Sequence, residues 1–170
     1  MLQRQPFLIK KTVTIPITYS EITSKNTTTI FRPRPYLSDE YGLKIYNFKT
    51  IDGVKPKNNF VPALDETGTP CMYDLVRHKS FYNIGTGEFE YDLPTEEEKE
   101  PSLLPNNYTK LDYLESTGVQ YIDTGIKLTN KSKVKCNFTY LTSQNTILFG
   151  ARKEWNVGPA FVGVGYNTSF

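Results

Sequence analysis

Between Lys133 and Tyr140 the chain alternates without interruption. Val134, Cys136, Phe138 and Tyr140 fall on one face, and Lys133, Lys135, Asn137 and Thr139 on the other. A period of two is the pattern of a strand with one face buried, and a helix would scatter these four apolar side chains around its circumference. A second run alternates the same way, with Val13, Ile15, Ile17 and Tyr19 opposite Thr12, Thr14, Pro16 and Thr18. Pro16 has no N–H to give to a ladder, so this run is expected at a sheet edge. Apolar content is 38%, and the core must draw on 12 Tyr and 10 Phe. Tyr, Phe and Thr favour pleated, half-buried surfaces. We expect an all-β chain.

Turn signals support that class. From Leu43 onward, strand-like runs are cut by Asp52-Gly53, by Asp65-Glu66-Thr67-Gly68 and by Ile84-Gly85-Thr86-Gly87. Phe89 and Tyr91 then alternate with Glu88 and Glu90. Turns every 8–15 residues or so are the spacing of a β-sandwich or barrel. Asn107 to Ile126 reads as the start of a further β-domain. Leu111, Tyr113 and Leu114 form one short run and Val119, Tyr121 and Ile122 another, joined by Glu115-Ser116-Thr117-Gly118, which predicts a hairpin-like unit. Ile147 to Ala151 is apolar on both faces and is expected at the centre of a sheet.

Four segments follow from composition. Residues 1–40 are an extended arm whose Arg32-Pro33-Arg34-Pro35 run is stiff, and Thr28 to Phe31 is expected to pair back onto the first strand. Residues 1–36 hold six Lys/Arg against Glu21 alone. Residues 41–93 form a β-module. Residues 94–107 are a linker containing Pro94, Pro101 and Pro105, with Glu96, Glu97, Glu98 and Glu100 against Lys99. Residues 108–170 open another β-module. The charge asymmetry reads either as solvated tails or as a basic arm docking on an acidic partner, with Arg4, Lys10, Lys11, Arg32 and Arg34 as the candidate anchor.

Chemistry is sparse. The formal net charge of +2 gives no nucleic-acid footprint. No apolar run approaches the length of a membrane span, and Met-Leu-Gln-Arg-Gln-Pro lacks the plan of a secretory signal. Cys71 and Cys136 are expected as buried free thiols, and with His78 they fall short of a closed zinc site. Asp39, Glu40 and Asp123 lack calcium-ligand spacing. Neither Asp112 with Glu115 nor Glu88 with Glu90 has the arrangement of a glycosidase pair. His78 between Arg77 and Lys79 reads as a basic loop tip, and Gly85-Thr86-Gly87 as a turn. We expect no enzyme activity and no cofactor. Trp155, with Asn156 in a polar loop, is a candidate glycan or partner contact, set against a simple role as a cap on the core edge.

Three segments resemble a known family. These are Tyr108 to Ile126, Ile147 to Arg152, and Cys71 to Glu90. They are similar to the concanavalin A-like (laminin G-like) jelly-roll modules of phage and prophage structural proteins. In that family the first type of segment opens a module and the last closes it; here the closing type comes first. Residues 41–93 would then be the tail of one module, and residues 105–170 the front of a second. Completion within the chain, completion between subunits and a longer parent chain are the alternatives, and the abrupt end after Phe170 favours the last. The resemblance implies a non-enzymatic virion protein, a head- or tail-fibre component assembled in the host cytoplasm. Its implied partners are capsid, portal or tail proteins, further copies of itself, and a host surface glycan. A bacterial cell-surface carbohydrate-binding or adhesion module is the alternative.

Overall fold

A computed structural model describes residues 11–16, 27–31, 42–95, 103–129, 131–141, 148–151 and 161–162. Every regular element among them is a strand. The strands are β1 (Lys11–Pro16), β2 (Thr29–Ile30), β3 (Leu43–Asp52), β4 (Lys55–Leu64), β5 (Pro70–Asp74), β6 (Lys79–Phe81) and β7 (Glu90–Asp92). After the linker come β8 (Thr109–Lys110), β9 (Tyr113–Ser116), β10 (Ile122–Asp123), β11 (Ser132–Tyr140), β12 (Phe149–Ala151) and β13 (Phe161–Val162).

The strands build two antiparallel sheets, a β-sandwich of the jelly-roll kind. The larger sheet runs β1-β11-β3-β4-β5-β6, with β7, β8 and β9 joined at its side; the smaller runs β10-β2-β12-β13. The alternation in β11 holds. Val134, Cys136 and Phe138 are buried in the core, and Tyr140 packs at its edge. On the opposite face Thr139 is buried too, where Tyr46 lies 3.2 Å from its hydroxyl. Tyr46 is the extra residue at a bulge where the β3–β11 register shifts. The apolar faces meet between the sheets, and Phe48 links them by packing edge-on to Phe149 at 5.3 Å.

The β3–β4 hairpin turns at Gly53-Val54, with Asp52 opposite Lys55. Gly53 supplies the left-handed φ of 65° that a two-residue hairpin turn of this kind requires. The two strands then part. They pair from the turn to Phe48 and Phe60, and beyond that point each takes another neighbour. Leu43, Lys44 and Ile45 pair with Ser116, Glu115 and Leu114 of β9. Ala63 and Leu64 pair with Lys110 and Thr109 of β8. Between them Leu111 donates its N–H to the Pro62 carbonyl at 3.1 Å. Residues 109–116 thus fill the fork of the hairpin, and β7 pairs along the other edge of β9.

Several expectations change. The segment from Tyr113 to Asp123 is no hairpin, because β9 lies in the larger sheet and β10 in the smaller. The Glu115–Gly118 turn carries the chain from one layer to the other. Thr28 to Phe31 does not pair back onto the first strand. β1 runs antiparallel to β11 at the edge of the larger sheet, as Pro16 predicts, while β2 lies between β10 and β12. Ile30 is fully buried, and Phe31 stacks on Phe89 at 5.1 Å. These parts of the arm belong to the sandwich.

The segments before and after the linker share one core, which takes in Leu43, Phe60 and Phe89 from one and Leu114, Val134 and Phe149 from the other. Completion within the chain is the arrangement seen. The end of the linker is also held in place: Leu104 is buried against Ala63, Cys71 and Tyr73 on the outer face of the larger sheet. Cys71 and Cys136 are buried free thiols, as expected.

Phe48 touches Phe60 within its sheet and Phe149 across the core. Truncating it leaves a cavity that close-packed neighbours cannot refill. F48A is expected to lower unfolding stability by about 3–5 kcal/mol in urea titrations followed by circular dichroism.

Candidate functional site

Residues 82–89 and 116–121 interlock. The Asn83 side-chain oxygen accepts the N–H groups of Gly85 (2.8 Å) and Tyr121 (3.1 Å), and its amide donates to the Gly87 carbonyl (2.7 Å). Ile84 N–H donates to the Tyr121 carbonyl at 2.9 Å. Gln120, buried, donates to the Glu88 carbonyl at 2.8 Å and accepts from the Thr117 N–H at 2.9 Å and the Ser116 hydroxyl at 3.1 Å. A β-carbon on Gly85 would lie 1.9 Å from the Val119 carbonyl oxygen, so only glycine permits this approach. Segments 71–90 and 108–126 therefore hold each other. The side-chain amides of Asn83 and Gln120 are spent on that seam.

A second network joins the β5–β6 turn to the segment after β10. The Asp74 side chain is fully buried; its oxygens accept from Asn59 N–H (3.0 Å), Val76 N–H (3.0 Å), the Asn58 amide (2.8 Å) and Arg77 Nε (2.6 Å). Burial alone would raise its pKa, but these four donors outweigh it and hold the carboxyl below its ordinary value. Arg77 also donates to the Thr124 carbonyl at 3.0 Å and lies over the Phe81 ring at 4.6 Å. The basic loop-tip reading of Arg77 is thus replaced by a clamp from the β5–β6 turn to the segment after β10. His78 takes the left-handed φ of 53° in that turn and stays exposed.

Three loops meet at one rim. Asp65 Oδ1 accepts the hydroxyl and N–H of Thr67 and the N–H of Thr69, and Oδ2 accepts the Tyr82 hydroxyl at 2.9 Å. The Thr67 hydroxyl and the Thr69 amide lead in drawing its pKa down to about 2. Asn107 donates to Glu66 at 3.0 Å, tying in the end of the linker. Tyr108 stacks on Tyr73 at 4.9 Å and shares a 2.9 Å hydrogen bond with Ser80. Tyr82 and Ile84 stand exposed beside this frame. It offers a fixed aromatic and apolar surface with polar edges, and its carboxylate is already committed to neighbours.

The fold brings together a carboxylate pair that sequence spacing did not suggest. Glu90 and Glu115 are direct partners across β7 and β9. Glu115 is bound to Lys44 at 3.4 Å, and Lys44 lies 3.8 Å over the Tyr113 ring. Burial works against the charged lysine, but Tyr113 and Glu115 outweigh it and leave the pKa raised. An ammonium fixed on one carboxylate offsets the repulsion of like charges placed opposite each other. Glu90 is exposed, as is Glu88.

Among the described residues no group of three His, Cys, Asp or Glu side chains is placed to hold a metal ion. Asp123 accepts from the Thr27 hydroxyl and the Gly125 N–H. Trp155, Asn156, Arg4, Lys10, Arg32 and Arg34 lie outside the described residues, and Lys11 is placed by its backbone in β1 opposite Phe138. No family model matches the chain, and no curated protein or solved structure matches it.

The Asp74 network has a signed pH dependence. Its folded pKa is lowered, so its stabilisation is present above the unfolded value of about 4 and is lost as pH falls through the folded value. Urea midpoints measured downward from pH 5 should fall more steeply for the native protein than for D74N. Parallel curves would assign the acid sensitivity to other carboxylates.

Proposed function

We propose that this chain is a non-enzymatic structural protein of a bacteriophage virion, a head-fibre or tail-fibre component. The observation that supports this reading is the seam between residues 82–89 and 116–121, where two of the three segments resembling phage jelly-roll modules lock together through Asn83 and Gln120. The buried polar groups of the site hold sheets and loops in register. Such an investment suits a protein that bears load or displays a surface. The arm carries the attachment: Arg4, Lys10, Lys11, Arg32 and Arg34 meet an acidic surface on a capsid, portal or tail protein. The sandwich projects outward as part of a homo-oligomer, and Trp155 with Asn156 contacts a host surface glycan.

Mass spectrometry of density-purified particles from the host that encodes the chain should find it at fixed stoichiometry, and its absence would remove the virion reading. Deleting the arm is a poor test of attachment, because Ile30 and the β1 and β2 strands would leave with it. Neutralising charge avoids this. The R4Q/K10Q/R32Q/R34Q variant should keep its circular dichroism and melting profile while its particle-bound copies fall at least tenfold. Undiminished incorporation would reject the basic anchor. Glycan-array binding that W155A leaves unchanged would reject the sugar contact.

A further inference from the structure

Seven of the eleven strand pairings among the described residues cross the linker: β1–β11, β2–β10, β11–β3, β12–β2, β3–β9, β4–β8 and β7–β9. The other four join β12 to β13, β3 to β4, β4 to β5 and β5 to β6. Among the described residues after the linker, then, the only pairing made locally is the short β12–β13 ladder. β8, β9, β10 and β11 take all their partners from before it. On the near side, β3 without the far segment would lose its partner along the whole β11 edge and the occupant of its fork. The near part keeps the β3-β4-β5-β6 sheet, and the far part has no sheet beyond β12–β13. Both present edges that fit the other.

One covalent connection joins these parts. It leaves the sandwich at Leu93, 56% exposed, and returns at Leu103, 79% exposed, before Leu104 is buried again. Between them the sequence places Glu96, Glu97, Glu98 and Glu100 with Pro94 and Pro101. Like charges and prolines favour extended chain over a compact return. When a connection can extend, the far segment of one copy fits the near part of another through the same registers used within a copy, and no new interface is required.

We propose that the chain forms a reciprocal dimer in which two copies exchange the segment after the linker. Each sandwich then consists of the arm and residues 42–95 of one copy with the far segment of the other. The partner is a second copy of this chain, and the surface is the edge of β3 that β11 occupies together with the fork between β3 and β4. The inference rests on strand pairing and stands independently of the virion reading.

Lys49 and Lys135 are direct partners across β3 and β11, on the face turned from the core. Opposed residues in an antiparallel pair lie about 4.5–5.5 Å apart at Cα, within disulfide range. A K49C/K135C chain should close its own disulfide when refolded dilute, which checks the register. For the exchange itself, affinity-tagged K49C and untagged K135C are unfolded together, refolded at high concentration and oxidised. Exchange predicts a cross-linked dimer holding one of each, at least five times more abundant than after dilute refolding. A double variant that closes while the mixture gives no mixed dimer would overturn exchange. A double variant that fails to close would overturn the register, and the proposal with it.

Discussion

The sandwich depends on the fork of the β3–β4 hairpin. Near the Gly53-Val54 turn the two strands satisfy each other, and beyond Phe48 and Phe60 they do not. Backbone N–H and C=O groups facing a buried gap would remain unpaired, a cost comparable to a lost hydrogen bond for each. Residues 109–116 remove that cost by pairing with both arms of the fork at once. The same insertion delivers Leu111 and Leu114 to the core and sets the turn that sends β10 into the opposite layer. The seam at Gln120 and the clamp by Arg77 are further consequences of that placement. Both fasten the far segment to loops of the near one.

Charge plays a subordinate part in this arrangement. Asp74 and Arg77 are not isolated ions in an apolar core, because the carboxylate has four donors and the guanidinium rests on Phe81. Asp74 alone is buried, and removing a donor would leave part of its charge uncompensated there. Its effect is to specify geometry. The β5–β6 turn can meet the segment after β10 in one way that satisfies both partners.

Strand positions were legible in the sequence because period two and glycine-bearing turns are local signals. The inward set of Val134, Cys136 and Phe138, the edge position of the Pro16 strand and the central position of Phe149 all follow from them. Partner choice was not legible. Alternation says which face of Tyr113 to Ser116 is buried and is silent about which strand lies alongside, so β9 and β10 read as a hairpin although they occupy different layers. The Pro and Glu content of residues 94–107 reads as a domain boundary for a similar reason: composition reports an exposed connection, whether or not pairing crosses it. At the site, Asn83 and Gln120 resembled ordinary loop residues. Their significance arises from contacts between positions almost forty residues apart. Arg77, beside His78 and Lys79, looked solvated because its partners Asp74 and Thr124 come from a neighbouring strand end and from the far segment.

The filled fork also imposes an order of events during synthesis. When Thr95 leaves the ribosome, the fork of the hairpin has no occupant and Phe48 lacks Phe149 across the core. The residues up to Leu141, roughly 46 more, must follow before the larger sheet can close. At about 5–20 residues per second that is a wait on the order of 2–9 s. Open strand edges and unburied aromatic rings invite aggregation throughout that interval. Slow translation of residues 95–141 would lengthen that exposure.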